Sequence, residues 1–118
     1  MIGNDAYKQQ APLQKAGNDA TAMARELKAA GFKVLEHHNL NYRGMVKAVD
    51  ALVNSITGGD QVVVFFSGHG VQIKTGPYLL PTDIEGSSES EIEKTAYGLE
   101  DLTDKLKEAK PSFTLVMV

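Results

Sequence analysis

The run Asp60-Gln61-Val62-Val63-Val64-Phe65-Phe66-Ser67-Gly68-His69-Gly70 constrains the chain more than any other. Residues 62–66 are large and apolar without a break, so no polar face is left over. A half-exposed strand alternates polar and apolar side chains. An unbroken run therefore predicts a strand buried on both faces, the pattern of a parallel sheet covered by helices. The run leads straight into Ser-Gly-His-Gly, a glycine-flanked turn that presents one imidazole at the carboxyl end of the strand. Ligands bind at that end of open α/β sheets. Spacing alone leaves two readings of His69 open: a presented catalytic group, or a histidine in a tight turn.

The rest of the chain supplies what such a strand needs. Residues 1–3 are apolar but short for a strand, and 4–15 carry no period and read as a loop. Ala20, Met23, Ala24, Leu27 and Ala30 then recur at helical spacing behind Asn18, a cap, and Asp19, whose charge suits a first turn. Gly31 ends that helix as a left-handed residue. Residues 32–37 read as a second strand. Asn41 caps a second helix over 42–56 with an apolar face of Met45, Val49, Leu52, Val53 and Ile56. Beyond His69, residues 71–73 and 77–80 flank Lys74-Thr75-Gly76 as a hairpin with a three-residue loop. Residues 84–97 are polar and acidic and read as a mobile loop. Leu99, Leu102, Leu106 and Ala109 mark a third helix, stopped by Pro111, and 113–118 form a last apolar strand. Buried strands alternating with amphipathic helices define an α/β fold with a mostly parallel sheet and helices on both faces.

Bulk properties narrow the function classes. A chain of 118 residues with 42% hydrophobic and 23% charged residues makes one globular domain. Its net charge of −3 argues against nucleic acid as a partner. No apolar run is long enough to cross a membrane, and the N-terminus has neither the basic nor the apolar region of a signal peptide, so a cytoplasmic location is expected. There is no cysteine, hence no disulfide and no thiolate metal site.

Several chemistries lack their motif. Neither a G-x-G-x-x-G after a strand nor a Walker loop is present, and Gly68-His69-Gly70 is succeeded by a strand where a phosphate site needs a helix. His37 and His38 are adjacent, so on a strand they face opposite ways and cannot share a metal; no metal site is expected. The acidic stretch lacks the EF-hand pattern. Ser67 lies two residues before His69, but no G-x-S-x-G elbow surrounds it.

Ile2-Gly3-Asn4, Asn18-Asp19-Ala20, Phe65-Phe66-Ser67-Gly68-His69-Gly70, Tyr78-Leu79-Leu80-Pro81 with Asp83, and Leu99-Glu100-Asp101-Leu102 stand in the order seen in caspase-like cysteine peptidases. Over essentially its whole length the chain resembles their metacaspase/orthocaspase branch. The resemblance implies a caspase-like three-layer α/β/α sandwich with a small hairpin after the catalytic histidine. It implies that His69 is the catalytic base and that the Gly70 N–H is an oxyanion donor. Asp19 and Ser67 would belong to the pocket for the substrate residue before the cleaved bond. An acidic pocket there selects Arg or Lys, whereas true caspases select Asp through arginines. Asp19 read by itself is equally a first-turn carboxylate stabilised by the helix dipole.

In that family the next buried strand leads into Asp-Ala-Cys, whose cysteine is the nucleophile, about 50 residues beyond the histidine. That position falls just past Val118. The N-terminal strand, too, is longer in the family than Met1 and Ile2 allow. The resemblance thus implies a catalytic domain truncated at both ends, inactive by itself and marginally stable, whose partners are a polypeptide substrate and the rest of the parent domain carrying the cysteine. No cofactor is required; calcium activation occurs in the family, without assignable ligands here. A catalytically dead interaction module of the same fold and a nucleotide-binding flavodoxin-like domain are the competing readings.

Overall fold

The computed structural model describes residues 1–7, 15–84 and 88–118. In chain order the elements are β1 (Ile2–Gly3), α1 (Ala16–Ala29), β2 (His37–His38), α2 (Tyr42–Ser55), β3 (Gln61–Ser67), β4 (Gly70–Ile73), β5 (Gly76–Leu79), α3 (Glu89–Thr95), β6 (Tyr97–Gly98), α4 (Leu99–Glu108) and β7 (Phe113–Met117). β3 is the axis of a parallel sheet with strand order β2-β1-β3-β7. β4, β5 and β6 form a separate antiparallel sheet. The α/β class, the parallel sheet and the hairpin after His69 are as expected from the sequence.

Helices cover both faces of the parallel sheet. On one face Val62, Val64 and Phe66 of β3 pack with Met45 and Val49 of α2 and Leu102 and Leu106 of α4 in one buried cluster. On the other, α1 lies against β1 through Ala16, Ala20 and Ala24, all buried. Small residues are needed there. A Cβ on Gly3 would stand 2.7 Å from the Ala16 carbonyl oxygen and 2.9 Å from Ala20 Cβ. The expected face of α1 is thus shifted towards its N-terminus: Met23 and Leu27 are half-buried and Ala30 is exposed.

The helix ends show how local sequence sets the elements. Asn41 caps α2, its side chain accepting from the Gly44 N–H at 2.7 Å. Gly31 adopts φ +95°, and the Gly31 and Phe32 N–H groups bond back to the carbonyls of Lys28 and Leu27, both at 3.0 Å. This is the Schellman stop that the glycine announced. The start of α1 differs from expectation. Asn18 does not cap it, although Asp19 does stand in its first turn; the helix begins at Ala16, and Asp5, from the segment after β1, accepts the N–H groups of Ala16 and Gly17 at 2.8 Å each.

Four further expectations are corrected. First, β3 is buried on one face only: Val63 and Phe65 are half-exposed, because α1 packs over β1 and leaves the β7 side of that face open. Phe113 and Leu115, which share this face in register with Gln61 and Val63, are 53% and 42% exposed. Second, residues 32–36 are not a strand. Only His37 and His38 pair with β1, which itself offers just two residues. A strand-wide gap remains between 32–35 and the first half of β3, and it holds a cavity of about 350 Å³ lined by Phe32, Val34, Leu35, Val62 and Val64 among others. Third, the hairpin loop is two residues, Lys74 and Thr75, since Ile73 pairs with Gly76 at φ +123°. Fourth, the stretch read as a mobile loop contains α3 and β6. Ser88 caps α3 by accepting the Glu91 N–H at 3.3 Å, and Ile84, Ile92, Ala96 and Tyr97 are buried. The 8–14 part of the first loop and residues 85–87 of the second lie outside the described residues.

Candidate active site

His69 sits one residue beyond Gly68, at the carboxyl end of β3, where the parallel sheet gives way to the β4–β5 hairpin. Two backbone bonds hold the turn. The Asn4 N–H donates to the Ser67 carbonyl at 2.8 Å, and the Leu80 N–H donates to the His69 carbonyl at 3.0 Å. The second bond fixes the phase of the hairpin ladder. With His69 bonded to Leu80, the Gly70–Leu79 pair is a non-hydrogen-bonded one, so the Gly70 N–H points away from β5. Gly70 is exposed, and a Cβ there would meet only the Tyr78 carbonyl at 3.5 Å. Its open side faces outward.

Gly68 is the crowded glycine of the pair. A Cβ at that position would come within 2.6 Å of the Tyr7 hydroxyl and 2.8 Å of the Phe66 ring. The turn therefore lies directly on Tyr7. The phenol oxygen accepts the His69 N–H at 2.8 Å and donates to the Leu80 carbonyl at 3.0 Å. The Tyr7 and His69 rings are 4.6 Å apart and tilted by 57°. Burial pushes the Tyr7 phenol above its ordinary pKa, which keeps its proton in place as a donor.

Asn4 is the second anchor. It is wholly buried, and its side chain accepts the Leu40 N–H at 2.9 Å while its amide reaches the Leu80 carbonyl at 3.3 Å. A buried amide is tolerable only with its bonds made, and here they join β1, the start of α2, and the segment after the hairpin. Asn39, at φ 54°, accepts the N–H groups of Asp5 and Ala6 at 2.9 and 3.0 Å and holds the same segment from the other side. A sequence reading that looks for period sees only a loop over 4–7. The signal that could have found these residues is a polar, aromatic-containing segment directly after an inner strand, where site residues concentrate.

The structure brings Ser67 and Asp19 together. Ser67 is on the face of β3 that looks to α1, and its hydroxyl stands 3.4 Å from Asp19 Oδ2, a long hydrogen bond. Asp19 is in the first turn of α1 and exposed. His37 and His38 lie on β2, across β1 from this pair; His38 is level with Ser67, since both pair with Gly3. His38 bonds Glu36 at 2.7 Å and so holds that carboxyl below its ordinary pKa. Among the described residues no group of three His, Cys, Asp or Glu side chains is placed to hold a metal ion, and no helix is long and apolar enough to cross a membrane.

A parallel α/β sheet, sandwiched by helices, carries an imidazole-bearing turn at the carboxyl end of its central strand and a hairpin immediately after, and a strand rather than a helix N-terminus comes after the glycines. The chain belongs to the caspase domain family, whose Peptidase C14 model matches residues 1–117. That family comprises cysteine peptidases that act on polypeptide substrates. No curated protein matches the chain.

Proposed function

We propose that this chain is the histidine-bearing part of a cysteine endopeptidase domain of the metacaspase/orthocaspase branch, cleaving after Arg or Lys. His69 is the general base, taking the proton of a cysteine thiol and returning it to the leaving amine. The outward N–H of Gly70 is one donor to the oxyanion, where a glycine lets backbone and substrate approach closely. Asp19, held by Ser67, supplies the negative charge that receives a basic side chain. The reaction needs no cofactor.

The observation that carries this reading is the register of β7. Phe113 pairs with Gln61 and Met117 with Phe65 in a parallel ladder. Carried on in the same register, the third residue past Val118 comes level with His69. Asp-Ala-Cys at that point puts the thiol beside the imidazole and the Asp beside Ser67 and Asp19.

The test is a polypeptide that continues through that position, assayed on fluorogenic peptides with Arg, Lys or Asp before the scissile bond. Turnover of the Arg and Lys substrates alone, abolished by His69→Ala and reduced by Asp19→Asn, is the expected result. A residue other than cysteine at that position, with no turnover, makes the domain the dead interaction module instead. Cleavage of the Asp substrate overturns the assignment of Asp19. The 118-residue chain itself, having no cysteine, is expected to cleave none of them.

A further inference from the structure

We propose that Tyr7 is a positioning residue for His69, fixing both the backbone and the ring of the base from beneath the turn; this rests on the reading of His69 as the base. The hydroxyl has one proton and cannot exchange roles between its two partners. A backbone N–H only donates and a carbonyl only accepts, so the phenol must donate to Leu80 and accept from His69. The bridge ties His69, the residue before β4, to Leu80, the residue after β5, across the mouth of the hairpin. Tyr7 is 5% exposed, so water does not compete for either bond.

Two further features belong to the same arrangement. The hydroxyl occupies the space that any side chain at position 68 would need, at 2.6 Å from a Cβ there, which gives the first glycine of Ser-Gly-His-Gly a packing reason separate from turn geometry. The tilted ring at 4.6 Å restricts the imidazole from its side. A base must meet its proton within hydrogen-bond reach, and a turn between two glycines has little stiffness of its own. Tyr7 supplies that stiffness through one hydroxyl and one ring, and the two are separable by mutation.

The experiment is nuclear magnetic resonance on the 118-residue chain, with Tyr7→Phe removing the hydroxyl, Tyr7→Leu removing hydroxyl and ring, and Gly68→Ala displacing the hydroxyl. In Tyr7→Phe the His69 amide should exchange with solvent at least ten-fold faster, the change given by losing a bond of about 1.4 kcal/mol, while the amides of Val64 and Phe66 keep their rates. The imidazole proton shifts should stay near their wild-type positions in Tyr7→Phe and move towards those of the urea-unfolded chain in Tyr7→Leu. Gly68→Ala should accelerate the His69 amide as Tyr7→Phe does. Unchanged exchange at His69, or exchange that rises only in step with Val64 and Phe66, overturns the proposal. Should the variants not fold, the wild-type chain decides: Overhauser contacts between the Tyr7 and His69 ring protons are required, and their absence overturns it. These readouts depend on geometry alone, whereas failure of the base reading would appear in the peptidase assay of His69→Ala.

Discussion

Asp5 accepts the N–H of Gly17 through Oδ2 at 2.8 Å, so the first turn of α1 is capped by a residue outside the helix. The other carboxylate oxygen takes the Ala16 N–H at the same distance. A charged acceptor on two of the four orphan N–H groups also meets the positive end of the helix dipole. Asp5→Ala is expected to cost about 1–2 kcal/mol, read as a lower urea midpoint with an unchanged slope. Asp5→Asn should lose less, since an amide oxygen still accepts. Equal losses in the two variants would mean that the carboxylate charge, and not an acceptor that an amide oxygen can replace, carries the whole effect.

Gly3 sets the distance between α1 and the sheet. A Cβ there meets the backbone oxygen of Ala16 at 2.7 Å, which cannot swing aside as a flexible side chain would. Gly3→Ala is expected to destabilise the fold by about 1–3 kcal/mol, the usual cost of overpacking. Combining it with Ala20→Gly should recover only part of the loss, because the clash with Ala16 remains. A thermal melt of the single and double variants checks this, and full recovery would show that side-chain contact alone sets the spacing.

Two titratable bases, the Met1 amine and the His37 imidazole, border the cavity between 32–35 and β3. Burial pushes the Met1 ammonium below its ordinary value of 8.0, and burial, with the Met1 ammonium and His38 adding repulsion, pushes His37 below 6.5. In both cases the unfolded chain binds the proton more readily. Stability should therefore fall as pH drops from 8.0, and fall further below 6.5, until each group titrates in the folded state too. Glu36, shifted down by His38, acts only below its ordinary range and stays out of a urea series run between pH 5 and 8. His37→Phe should flatten the lower part of that curve and N-terminal acetylation the upper part; parallel curves for all three would exclude these groups as the cause.

The same cavity lies where a strand between 32–35 and β3 would extend β1. The Met1 ammonium donates to the Leu35 carbonyl at 2.9 Å and the His37 N–H donates to the Met1 carbonyl at 2.7 Å, so a parallel ladder is already set. Four apolar residues added ahead of Met1 would continue it between 32–35 and β3. Such an extension is expected to raise the melting temperature by several degrees, and one of equal length rich in Gly, Pro and Asp should not. An equal response to both would show that removing the terminal charge, and not strand addition, is what matters.

The parts of this fold that were legible in the sequence are those governed by one element at a time. α2 with its Asn41 cap, the Gly31 stop and the hairpin after His69 arise from local chemistry. The misreadings come from pairing. Residues 32–36 have strand composition but no partner strand beside them, and 62–66 look doubly buried although one face is half-open. Ile92 and Tyr97 lie in an acidic stretch whose polarity hides two buried anchors. The motif put His69, Gly70, Ser67 and Asp19 forward as candidates, of which Ser67 and Asp19 do meet; Asn4 and Tyr7 could not be given a role, because the groups they hold are distant in sequence.

That distance decides when the site comes into being. Asn4 bonds to residues 36 and 76 positions away, and Tyr7 to one 62 positions away. Every one of these contacts closes a long loop, an entropic cost met before any of them returns stabilisation. No short fragment around Ser-Gly-His-Gly can rehearse this geometry in isolation. The histidine turn depends on these long-range closures, and a chain that stops short of Leu80 cannot hold it in this geometry.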